Sequence, residues 1–111
     1  MRRDEWHILR DGGSLTMARH LPVRFDVAAR TVLPGRSRLR MARQVRQDLW
    51  RALRSLRGFS PVVRVSATRA GLVVTAGGRV EGPLARSAVE ARIDALLSDP
   101  GCRTRWSGWA S

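Results

Sequence analysis

The chain has 111 residues, a single domain's worth, and a formal net charge of +12 from 21 basic and 9 acidic residues. All 21 basic residues are arginine, and lysine, asparagine and tyrosine are absent, a bias that matches GC-rich coding and accounts for part of the arginine excess. A hydrophobic fraction of 43% argues against wholesale disorder, no stretch nears the roughly 18 apolar residues of a membrane-spanning helix, and a lone cysteine, Cys102, excludes an internal disulfide framework or a multi-cysteine zinc site.

The first ten residues begin basic but contain no apolar h-region and no small-residue cleavage site, which points to a cytoplasmic chain. Residues 1–21 are the least patterned. Trp6-His7-Ile8-Leu9-Arg10 and Ser14-Leu15-Thr16-Met17 flank Asp11-Gly12-Gly13, a turn sequence tolerant of positive φ, and read either as a β-hairpin or as a loosely ordered extension. Met17 offers an alternative start, since the better-patterned sequence begins just after it. The expected organisation is an extension or hairpin over 1–21 and one α+β domain over 22–111.

Along that domain, residues 22–32 predict a half-buried strand, with Val23, Phe25 and Val27 on one face and Arg24 and Asp26 on the other. Residues 37–57 carry the strongest pattern. Ala42, Val45, Leu49, Ala52, Leu53 and Leu56 recur at three- and four-residue steps, with Ser37 as N-cap and Gly58 as the residue after the C-cap. Residues 61–69 and 71–76 alternate around a tight turn at Arg69-Ala70-Gly71 and predict an antiparallel hairpin, followed by a bulge or bend at Gly77-Gly78. A second helix is expected over 83–97, started by Gly82-Pro83, lined by Leu84, Ala85, Ala88, Val89, Ile93, Leu96 and Leu97, and stopped at Asp99-Pro100-Gly101. Cys102 to Trp106 alternates again and predicts a last strand.

The order β-α-β-β-α-β predicts a split βαβ, ferredoxin-like α+β sandwich, with two helices on one face of an antiparallel sheet and the other face open or covered by the N-terminal segment. Within it, Val63-Arg64-Val65, Gly71-Leu72-Val73-Val74-Thr75-Ala76-Gly77 and Val80, followed by an alanine-rich helix, resemble a BON-type module over residues 60–97. That resemblance implies a hairpin packed on a helix, in a family usually found in exported proteins. The basic helix followed by a hairpin is also similar to type II KH-like ribosome-associated factors, whose RNA clamp is Gly-x-x-Gly. No two glycines here stand three apart.

Eight arginines and one acid, Asp48, fall between residues 36 and 57. Guanidinium forks suit phosphate oxygens, and a row of them releases counterions when it meets nucleic acid. The candidate binding residues are Arg40, Arg43, Arg46, Trp50, Arg51, Arg54 and Arg57, with Trp50 as a stacking group. A solvated helix face, with Trp50 at the core edge, is the plainer alternative. Arg103 and Arg105 beside Trp106 either extend this surface or lie outside a strand that buries the indole. His7 and His20 lack partners at catalytic spacing, and Asp4 and Glu5 beside His7 sit on an unpatterned terminus. Cys102 is expected to be a small buried residue, although Arg103 and Arg105 beside it are of the kind that lower a thiol pKa. Gly77-Gly78-Arg79 lacks the fuller phosphate-loop pattern. The sequence therefore points to a small non-catalytic binding protein without cofactor or metal, contacting a polyanion, most often RNA or DNA. The other class is an assembly module that meets an acidic protein partner or a second copy through the open sheet face or the N-terminal segment.

Overall fold

The computed structural model describes residues 6–81 and 85–111. The sequence readings of Asp4, Glu5, the Gly82-Pro83 helix start and Leu84 lie outside them. The described residues form an α+β fold, an open antiparallel sheet of five strands with three helices. In chain order these are β1 (His7–Asp11), β2 (Ser14–Ala18), β3 (Val27–Leu33), α1 (Arg38–Leu53), β4 (Phe59–Thr68), β5 (Gly71–Val80), α2 (Arg86–Ser98) and α3 (Pro100–Ala110). The spatial order is β1-β2-β4-β5-β3. Strand count and strand order therefore both differ from the expected β-α-β-β-α-β arrangement.

The N-terminal hairpin is part of the sheet. The β2 strand pairs with β4 from Ser14↔Ser66 to Ala18↔Val62, and Leu15 and Met17 are buried in the core. Leu15 lies upstream of Met17, so part of the core precedes that methionine. Alternation does the sorting, because successive side chains of a strand point to opposite faces. Leu15 and Met17, Val63 and Val65, and Leu72, Val74 and Ala76 face α1, whose Met41, Ala42, Val45, Leu49 and Leu53 close the layer. Burying each Val or Leu side chain contributes about 1.5–3 kcal/mol before entropy is counted.

The expected strand over 22–32 starts later, at Val27. Residues 19–26 must carry the chain from β2 past β4 and β5 to β3, and they do so across the sheet face that has no helices. Phe25 lies against Arg64, its ring 5.2 Å from the guanidinium carbon, and Arg79 donates to the Pro22 carbonyl at 2.7 Å. Beneath this crossing Thr16, Ala18 and Val62 are buried although they point away from α1. Cover on that face comes from the β2–β3 connection, with Val23 and Phe25 half-buried under it rather than paired in a strand.

Gly77 and Gly78 form no bulge. Register runs unbroken through them on both sides, with Gly77 opposite Ala28 and Val62 and Gly78 opposite Val27 and Pro61. A Cβ on Gly77 would stand 2.0 Å from the Val27 carbonyl oxygen, and one on Gly78 the same distance from that of Ser60. The glycines allow neighbouring backbones to come close, so β5 extends to Val80.

Ser37 caps α1 as expected, its hydroxyl accepting the Arg40 N–H at 3.1 Å. The helix ends at Leu53, short of Leu56. Gly58 sits in the turn into β4, where its carbonyl accepts the Glu81 N–H at 2.7 Å, and does not cap the helix.

The expected C-terminal strand is α3. Asp99 does stop α2, and it also starts α3: its carboxylate accepts the Cys102 N–H at 2.9 Å and Pro100 takes the first helical turn. Cys102, Trp106 and Ala110 then fall at four-residue steps on the inner side, with Trp106 and Ala110 fully buried. The Ala110 carbonyl accepts from both Arg36 N–H and Ser37 N–H, tying this helix end to the start of α1.

Candidate functional site

Burial of the α1 inner stripe decides which arginines face outward. Arg40, Arg43 and Arg54 are exposed, Arg57 lies exposed in the turn beyond the helix, and among the described residues none of the four forms an ion pair. Arg51 is exposed and 3.9 Å from Asp48. That acid, the only one of the segment, is turned to the opposite flank. Its Oδ2 accepts the indole N–H of Trp106 at 2.6 Å and a hydrogen bond from the Arg105 guanidinium. The carboxylate thus serves the α1–α3 contact and leaves most of the arginine face uncompensated.

The other flank of α1 meets the N-terminal hairpin. Arg46 is half-buried there, its guanidinium carbon 4.9 Å above the centre of the Trp6 ring. Among the described residues its Nε is buried without a hydrogen-bond partner. Burial, followed by the like charges of Arg43 and Arg19, lowers the Arg46 pKa. Trp50, one turn on, is 40% exposed. Trp6, Arg19, Arg46 and Trp50 line a hollow of about 330 Å³. A second of about 260 Å³ shares three of these residues and runs over Phe59 and Ser60 toward His20.

Of the sequence-derived candidates, Arg46 and Trp50 converge on this hollow, Arg40, Arg43 and Arg54 occupy the outer face of α1, Arg51 leans toward Asp48, and Arg57 stands apart in the turn. Sequence reasoning missed Trp6 and Arg19, because the end of β2 and the residue before β1 reach α1 only through sheet pairing. Their types, an indole and a guanidinium, were the available signal. Arg103 and Arg105 do not extend the surface. Arg103 donates to Thr31 Oγ1 and Val32 O on β3 and to Leu97 O on α2, and Arg105 is held by Asp48.

His20 does have a partner that linear spacing hid: its Nδ1 is 2.7 Å from Ser60 Oγ. The pair is exposed, and among the described residues no carboxylate engages the ring. Cys102 is half-buried, and its thiol pKa is raised, chiefly by burial and by Asp99, rather than lowered by the neighbouring arginines. Among the described residues no group of three or more His, Cys, Asp or Glu is arranged to hold a metal ion, and no helix is long and apolar enough to cross a membrane. Comparison of the chain with protein-family models, with curated proteins and with solved structures returns no match.

Proposed function

We propose that the protein binds nucleic acid through α1, without catalysis, its outward arginines contacting backbone phosphates. The observation that carries this is the uncompensated arginine face: Arg40, Arg43 and Arg54 exposed and without ion pairs among the described residues, while Asp48 is committed to Trp106 and Arg105. Such a face raises the local concentration of a polyanion and gains affinity by releasing its counterions. Phosphate contacts position a partner rather than read its sequence, so binding is of low sequence specificity.

The test is a fluorescence-anisotropy titration of a labelled oligonucleotide with the native chain and with the triple variant Arg40→Gln, Arg43→Gln, Arg54→Gln. The variant is expected to bind at least about tenfold more weakly near physiological salt, and its salt slope to fall by about two to three. Equal affinity and slope in the two proteins would refute the proposal.

Self-assembly is the second reading, and β1 favours it. This edge strand is exposed throughout, with Ile8 and Leu9 about two-fifths accessible, whereas the β3 edge is occupied by Glu90 accepting the Ala28 N–H and by Arg103 on the Val32 carbonyl. A discrete oligomer that survives nuclease and moderate salt supports assembly.

A further inference from the structure

We infer that the groove beside α1 takes an unpaired strand, so that the protein prefers single-stranded nucleic acid to a duplex; this rests on the nucleic-acid reading above. The hollow between Trp6 and Trp50 adjoins the one over Phe59, and a third, of about 230 Å³, continues past Phe59, His20 and Ser60 to Arg79 and Glu81. The middle hollow shares Trp6, Arg19 and Trp50 with the first and His20, Phe59 and Ser60 with the third, so the three follow one another from the flank of α1 around the end of the sheet where β2 stops and β4 begins. Along it aromatic and cationic groups alternate: Arg46 and Trp6 in contact, Trp50 exposed, then Phe59 half-buried, with Arg19 and Arg79 on the walls.

One exposed ring, Trp50, and two partly accessible ones, Trp6 and Phe59, set among guanidiniums suit an unpaired strand. Every base has a π-face to stack on an indole or phenyl ring, while the backbone follows the positive charge. A duplex keeps its base faces stacked on each other and offers this groove only phosphates. Arg46 adds a specific element. Its guanidinium lies over Trp6, its Nε is buried and, among the described residues, without an acceptor, and a buried unpaired donor is costly. A phosphate or base oxygen entering beside Trp6 supplies the acceptor and relieves the repulsion from Arg43 and Arg19.

The test compares a labelled single strand with the duplex of the same sequence, as DNA and as RNA, at one salt concentration, for the native chain and for Trp6→Ala, Trp50→Ala and the corresponding Phe variants. The native chain is expected to prefer the single strand. Each Ala substitution is expected to weaken single-strand binding roughly 5- to 100-fold while duplex binding changes by less than about threefold, and Phe is expected to restore most of the loss. Thermal melts identify any variant that is unfolded, and the Phe variants keep the comparison valid in that case. A native chain that binds both forms equally, or Ala variants that keep the preference, overturns this inference and leaves the arginine-face proposal standing. No binding of either form by the native chain overturns both. Preference for one sugar over the other assigns the strand as RNA or DNA within the same inference.

Discussion

Asp48 shows how a single residue separates the structural flank of α1 from its outward face. Its carboxylate satisfies the Trp106 indole, the largest fully buried side chain, and holds Arg105. Asp48→Ala strands a buried N–H donor and is expected to destabilise the fold by about 1–3 kcal/mol, with Asp48→Asn losing less because an amide oxygen still accepts the indole proton. Chemical denaturation of both variants checks the order. Asp26 and Asp99 carry a pH dependence. The Arg24 guanidinium, then the Val80 N–H, hold the Asp26 carboxyl below the usual range, and the Cys102 N–H does the same for Asp99. Both folded-state values are depressed, so their stabilisation is present above the unfolded value near 3.9 and lost as pH falls through the folded ones. The melting temperature is expected to decline below about pH 4, and Asp26→Asn to weaken that decline.

At the scale of elements, helix α1 and the β4–β5 hairpin were legible in the sequence because their periods were sustained and bounded by Ser37 and by the Arg69-Ala70 turn. Segment 102–106 misled because a five-residue alternation fits a strand as well as one turn of helix. The deciding signal was Asp99-Pro100, a helix stop that is equally a helix start. Gly77-Gly78 misled for a different reason: glycine marks a bend and a close backbone approach alike, and only the strands on either side distinguish them. Gly77→Ala places a methyl against the Val27 carbonyl, a backbone group held in the sheet, and is expected to cost about 2 kcal/mol or more. A drop in the thermal midpoint, measured against Gly108→Ala in α3, where an added methyl meets nothing, checks this.

At the scale of the whole molecule, the insertion of β2 between β1 and β4 brings Trp6 and Arg19 to α1 and builds the groove. That half of the site was illegible in the sequence because the pairing of Ala18 with Val62 spans forty-four positions and no local pattern encodes it. The other half, Arg46 and Trp50, was legible because helical spacing is local. Net charge alone makes the molecule basic; the fold leaves Arg40, Arg43 and Arg54 exposed on α1 and turns Asp48 away from them toward Trp106 and Arg105. The most direct measurement of this account is the salt dependence of the native chain's affinity for a labelled single strand. Four phosphate contacts, at Arg40, Arg43, Arg54 and Arg46, predict a slope near −3 in log affinity against log salt, about a 50-fold loss between roughly 50 and 200 mM. An affinity that stays flat over that range, or no binding at its low end, contradicts it.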